Sequence, residues 1–165
     1  MADILILNTG GTFNKRYDEI KGELVVPADD RAVESILAEV RGNLDVRLVG
    51  LIHKDSLAMD DSDREQIAQT ILSAEERKVL IVHGTDTMHL TAAHLAASCP
   101  RRRIVLTGAM RPYAYDRQEA VFNLALSLGW LGAGEEDGVF IGMHGLVRPH
   151  AGMVKDRVRG VFRAV

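Results

Sequence analysis

The 165-residue sequence predicts an α/β fold, a flavodoxin-like three-layer domain with a mostly parallel central sheet. Short continuous apolar runs, such as Ile4-Leu5-Ile6-Leu7 and Val79-Leu80-Ile81-Val82, have the pattern of strands buried on both faces. Helix-length segments alternate with these runs, as a parallel sheet with crossover helices requires. Four of the predicted strands are followed by polar turns containing Gly, Thr or Ser.

The elements follow in order. The first apolar run ends at Asn8-Thr9-Gly10-Gly11-Thr12, and after a polar stretch through Tyr17 and Lys21-Gly22 comes a short strand at Leu24-Val25-Val26. Helix one is expected from Asp29-Asp30, acidic residues that suit the positive end of a helix dipole, with Val33, Ile36, Leu37 and Val40 inward. Gly42-Asn43 stops it. Val46 to Ile52 is the next strand and His53 to Asp61 the polar segment after it; helix two runs from Asp61 to Ala74 with Ile67, Ile71 and Leu72 inward. Val79 to Val82 leads to His83-Gly84-Thr85-Asp86, and Thr87 is a candidate cap for a helix from Met88 to Ala97 that Pro100 punctuates. Ile104-Val105-Leu106 leads to Thr107-Gly108-Ala109-Met110-Arg111-Pro112, followed by a helix from Gln118 to Leu131 and a strand at Val139-Phe140-Ile141. The tail from Leu146 is basic and less regular. Residues 1–165 are read as one domain, with no internal repeat and no low-complexity linker.

Composition narrows the function classes. A net charge of −3 without a basic stripe, and only 5% aromatic residues, argue against nucleic-acid binding. The basic run Arg101-Arg102-Arg103 is expected to be a solvated turn before a strand. No apolar run reaches the roughly 18 residues a membrane span needs, and Met1-Ala2-Asp3 enters a strand without a signal-peptide pattern, so a cytoplasmic protein is expected. The single cysteine, Cys99, forms neither an internal disulfide nor a CxxC site. His89 and His94 miss the i, i+4 spacing of a helical metal pair, so no metal site and no cofactor are expected; His53 and His83 are expected to hydrogen-bond within their turns.

The carboxyl ends of strands line the ligand crevice of an open α/β sheet. Thr9 to Thr12, Asp55-Ser56, Gly84 to Thr87 and Thr107 to Met110 are therefore expected to converge. The adjacent glycines of Thr9-Gly10-Gly11-Thr12 permit close approach, but match neither GxGxxG nor a P-loop. Taken singly, each turn reads first as a plain strand-to-helix connection. Together they offer hydroxyls (Thr12, Thr85), a carboxylate (Asp86) and, later in the chain, Lys155. A threonine hydroxyl attacks only once a base takes its proton, and a lysine beside a carboxylate can serve or poise that step. Backbone N–H groups in the glycine turns can stabilise an oxyanion. An acidic side chain such as Asp86 can hold an ammonium, and Ser56 a carboxylate, which describes a pocket for a small zwitterionic amide.

Thr9-Gly10-Gly11-Thr12-Phe13, His83-Gly84-Thr85-Asp86-Thr87-Met88 and Thr107-Gly108-Ala109-Met110-Arg111-Pro112 resemble the signature segments of the bacterial-type asparaginases, in the same order after strands. Phe122-Asn123-Leu124 and the loop Asp55-Ser56 with Met59 resemble further segments, so the likeness spans nearly the whole chain. The resemblance implies an L-asparagine amidohydrolase that needs no cofactor. It implies Thr12 as nucleophile, Tyr17 as its assistant in a mobile loop, and Thr85, Asp86 and Lys155 as a second catalytic cluster. Asp86 would hold the substrate ammonium and Ser56 its α-carboxylate. Ala109 would accept from the reacting amide through its carbonyl, with Asp55, Gly11 and Gly84 in the substrate-binding turns. A homodimer or homotetramer acting on a small molecule, with no nucleic acid or membrane partner, is the family expectation. Two features depart from the family: the second, C-terminal domain of most members is absent from this sequence, and Leu57 stands where many carry a polar residue. Both point to weaker ammonium recognition. An amidohydrolase for glutamine or a larger aspartyl conjugate, or a non-catalytic amino-acid-binding module, are the alternatives.

Overall fold

A computed structural model describes residues 2–165. Strand β1 (Ile4–Gly10) lies inside a six-stranded sheet with β4 (Val46–Lys54), β5 (Lys78–Val82), β6 (Arg103–Thr107), β7 (Gly138–Met143) and β8 (Leu146–Pro149), in the order β4-β1-β5-β6-β7-β8. All neighbours are parallel except β7 and β8. The five parallel strands thus have the flavodoxin-like order expected from the sequence.

The apolar runs face both ways because strand side chains alternate. Leu5, Leu7, Val79, Ile81, Ile104, Leu106 and Ile141 meet helices α2 (Asp61–Ser73) and α3 (Met88–Ser98) on one face. Ile4, Ile6, Leu80, Val82, Val105 and Phe140 meet α1 (Arg31–Leu37) and α4 (Arg117–Gly132) on the other. The chain changes faces on either side of β1, so the crevice between the carboxyl ends of β1 and β5 is the switch point where ligands bind in such sheets.

Several local expectations change. Helix α1 stops at Leu37, and Val40, expected inward, is exposed; Leu72 of α2 is exposed as well. Thr87 makes no side-chain cap for α3; its hydroxyl donates to the Ser56 carbonyl at 2.9 Å. The short strand expected at Leu24-Val25-Val26 forms as β3 (Glu23–Val25), and the polar stretch before it supplies an unexpected antiparallel partner, β2 (Arg16–Asp18). The tail is regular: β8 is followed by the antiparallel pair β9 (Met153–Asp156) and β10 (Val161–Ala164).

The basic run is not a solvated turn either. Arg103 is buried, with its guanidinium 3.5 Å above the Trp130 ring, and donates to the Trp130 and Glu136 carbonyls at 3.0 and 2.8 Å. Arg102 donates to the Ala74 carbonyl at 2.9 Å and to that of Ile71 at 3.3 Å, satisfying acceptors that the end of α2 leaves open. Only Arg101 remains in solvent.

Candidate active site

The four turns converge, and glycines let them. A Cβ on Gly11 would stand 2.4 Å from the Gly84 Cα, one on Gly84 would stand 2.6 Å from the Ser56 Cβ, and one on Gly108 would stand 2.4 Å from the His83 carbonyl oxygen. Turns from β1, β4, β5 and β6 therefore stack at distances no side chain fits. Gly11 has φ 77°, a left-handed conformation that glycine adopts without strain, and its N–H donates to the Lys54 carbonyl at 2.9 Å. Its part is thus to let the turns close.

Thr12 opens a 3-10 turn, Thr12–Asn14, directly after that glycine and is half-buried. A buried reciprocal amide pair holds this turn: Asn8 Nδ2 donates to Asn14 Oδ1 at 3.0 Å and Asn14 Nδ2 returns to Asn8 Oδ1 at 2.9 Å. Asn14 Nδ2 also donates to the Gly10 carbonyl, and the Tyr113 N–H to that of Phe13, tying the turn to the segment after β6.

The second cluster is assembled from distant sequence. Lys155 Nζ, from β9, donates to Thr85 Oγ1 at 2.8 Å and to Asp86 Oδ1 at 2.7 Å. The Lys155 side chain is only 13% exposed, so the chain Thr85–Lys155–Asp86 is largely shielded from water. Arg157 joins it, donating from Nη1 to Asp86 Oδ1 and from Nη2 to the Asp86 carbonyl, each at 2.8 Å. The hydrogen bond from Lys155, then that from Arg157, holds the Asp86 carboxyl below its ordinary range against the opposing effect of burial.

Ser56 is buried and its Oγ accepts the Thr87 N–H at 3.2 Å. Beside it, Asp55 pairs with Lys15 at 2.7 Å and accepts the Leu57 N–H. Burial pushes the Asp55 carboxyl up, but Lys15 and that N–H outweigh burial and the nearby Asp86, leaving it lowered. Ala109 is buried, and the preceding Gly108 carbonyl accepts from Asn123 Nδ2 at 2.9 Å. Tyr17 is not brought into the cluster: it is 57% exposed on β2 and lines a surface depression with Arg16, Lys21 and Val25. His83 hydrogen-bonds to the Gly84 carbonyl inside its turn, as expected, and also to Thr91 of α3; burial lowers its pKa to about 4, so the ring is neutral and donates from Nδ1. His53 Nε2 lies 3.3 Å from Asp30 Oδ1. Among the described residues no group of three or more His, Cys, Asp or Glu is placed to share a metal ion.

Lys15, Arg157, the Asn8–Asn14 pair and a network behind the Met110 turn are additions that the sequence does not single out. In that network Glu119 accepts from the Met110 and Arg111 N–H groups at 2.7 and 3.1 Å and stands 3.0 Å from His144 Nε2. His144 Nδ1 accepts the Phe162 N–H at 3.1 Å, and Phe162 pairs across the hairpin with Lys155. Lys15 has a local signal, being a cation three residues after Thr12; the others have none.

The family model described as "Asparaginase, N-terminal" matches residues 3–160. The chain belongs to the asparaginase family. A glutamyl-tRNA(Gln) amidotransferase component of Methanococcus maripaludis is 31% identical over 156 residues, which cover 88% of this chain and 35% of that protein. An L-asparaginase of Thermococcus kodakarensis is 29% identical over 130 residues, covering 76% of this chain and 39% of that one. The asparaginase-family chain spans about a third of the length of these curated relatives. In structure it superimposes on the Thermococcus kodakarensis thermostable L-asparaginase with a TM-score of 0.86 at 23% identity, covering 98% of this chain and 51% of that one. A probable cytoplasmic L-asparaginase from Campylobacter jejuni gives 0.77 at 24% identity, covering 99% and 53%. These likenesses extend over the sheet and its helices, and fix the family fold. No helix among the described residues is long and apolar enough to cross a membrane.

Proposed function

We propose that this asparaginase-family domain is a cytoplasmic L-asparaginase, hydrolysing the side-chain amide to aspartate and ammonia through a threonyl ester on Thr12. The observation that carries this is the Thr85–Lys155–Asp86 hydrogen-bonded chain, stacked through Gly84 and Gly11 against the Thr12 turn. It supplies two hydroxyls and a route for a proton in one crevice, which simple binding does not need.

In the proposed cycle Thr12 Oγ bonds to the amide carbon as its proton leaves for the departing nitrogen, and the C–N bond breaks to release ammonia. Water then adds to the ester, oriented by Thr85, whose oxygen the Lys155 ammonium polarises; the proton of that water passes to Thr12 Oγ as the ester C–O bond breaks and aspartate departs. Asp86 holds Lys155 in place and faces the ammonium end of the substrate; Ser56 and the Asp55 turn hold the carboxylate end, and the Ala109 carbonyl accepts from the amide N–H. Tyr17 enters only if its hairpin folds over Thr12. A homodimer or homotetramer is the expected assembly. The name of the Methanococcus relative favours a second reading, in which the same hydrolysis supplies ammonia within a larger amidotransferase.

Ammonia release from L-asparagine, with L-glutamine as control, tests the proposal. Release by the wild type that Thr12→Ala abolishes, falling by roughly a thousandfold or more as loss of a nucleophile does, is the expected result. No release at millimolar substrate from folded protein would contradict it and favour another amide or a binding module.

A further inference from the structure

Asp86 does not stand ready for an ammonium ion. Its Oδ1 accepts from both Lys155 and Arg157, and Arg157 closes a two-point contact by also donating to the Asp86 carbonyl. One carboxylate thus already faces two cations, and the neighbouring carboxylate, Asp55, is paired with Lys15. An ammonium approaching Oδ2 would be the third positive charge on a single negative one. The Arg157 side chain is 57% exposed, and a guanidinium carries five N–H donors, so donors remain for an anion at the mouth of the site. Beside it lies a cavity of about 270 Å³ lined by Thr85, His89, Met153, Lys155, Arg157 and Phe162 among others; its ionisable lining is basic throughout.

We propose that Arg157 is a specificity-determining residue that cancels the negative charge of the ammonium seat on Asp86 and turns the site toward ω-amides of dicarboxylic acids without a free α-ammonium. Succinamate and N-acetyl-L-asparagine are the simplest members of that class. This inference rests on the proposed amidohydrolase chemistry of the same site and narrows its substrate: L-asparagine is accepted, but its ammonium meets only Oδ2 of a carboxylate whose charge Lys155 and Arg157 already offset.

Binding and turnover are separable here. Calorimetry with the two products, succinate and L-aspartate, on wild type, Arg157→Ala and Arg157→Gln reads the seat without requiring catalysis, and ammonia release from succinamate and L-asparagine reads the chemistry. The wild type should bind succinate more tightly than L-aspartate. Both variants should shift that ratio toward L-aspartate by roughly ten- to a hundredfold, the worth of one or two charge-assisted hydrogen bonds, with the ratio of kcat/KM values moving the same way. The exposed position of Arg157 makes loss of folding unexpected, and Arg157→Gln keeps most of the side chain's length and packing. Tighter L-aspartate binding by the wild type, an unchanged ratio in both variants, or no binding of either product would overturn the inference. Expected binding without ammonia release from any amide would leave it standing and sink the hydrolase proposal; release with an unchanged substrate ratio would do the reverse.

Discussion

Threonine does two different jobs in the crevice. Thr9 and Thr107 are fully buried and their hydroxyls donate to the Val82 and Gly142 carbonyls, both at 2.8 Å. They join strand ends. Thr12, three residues from Thr9, is half-buried after a left-handed glycine, and Thr85 has Lys155 on its oxygen. A buried carbonyl that loses its donor bears a desolvation cost, whereas a half-exposed hydroxyl exchanges one solvent contact for another. Thr9→Val should therefore lower the free energy of unfolding by roughly 1–3 kcal/mol, and Thr12→Val should leave it within about 0.5 kcal/mol. Urea unfolding of the two variants checks this, and equal losses would show that Thr12 is a structural hydroxyl too. The motif Thr9-Gly10-Gly11-Thr12 displays both threonines, but not which one is tied down, because the Val82 carbonyl comes from another strand.

Among the elements, local patterns mark every strand of the six-stranded sheet except β8, but they miss β2 and misplace the basic run before β6. Arginines beside a strand look solvated when only neighbours in sequence are weighed. Arg103 is held instead by partners 27 and 33 residues away, the carbonyls at the end of α4 and in the loop that follows it, and by the Trp130 face. Arg103→Met keeps apolar bulk over the ring but strips the donors from two carbonyls. An expected loss of about 2–4 kcal/mol is measurable by chemical denaturation, and a change under about 0.5 kcal/mol would mean that water satisfies both acceptors. The misplaced inward residues have simpler causes. Val40 falls beyond the end of α1 at Leu37, and Leu72 is turned about 100° round α2 from Ile71, away from the line on which Ile67 and Ile71 face the sheet.

For the molecule as a whole, Glu119 couples the Met110 turn to the C-terminal hairpin. Burial raises its pKa, but the hydrogen bonds from His144, the Met110 N–H and Arg111 more than reverse this and hold it at about 2, from an ordinary 4.5. A carboxyl depressed on folding stabilises fully above its unfolded pKa, and that contribution drains away as pH falls from about 4.5 toward 2. The shift corresponds to roughly 3 kcal/mol as an upper figure. Glu119→Gln should lose about 1–3 kcal/mol at neutral pH and flatten the acid limb of the stability curve over that window. An acid limb as steep as that of the wild type would assign the acid sensitivity to other carboxylates, such as the paired Glu76 or Asp29, each also held at about 2.

Three things are legible in the residues alone: the alternation of strands and helices, the two-faced burial of the sheet, and the four turns that meet at the candidate site. They rest on periodicity and turn chemistry, which act over a few residues. The stacking of the turns through Gly11, Gly84 and Gly108 emerges only in three dimensions, as does the reach of Lys155 to Thr85 and Asp86. So does the sharing of that carboxylate by Arg157, from 71 residues away. Such contacts depend on strand order, on the path of a hairpin and on side-chain reach. None of these leaves a mark on the residues beside it in the chain.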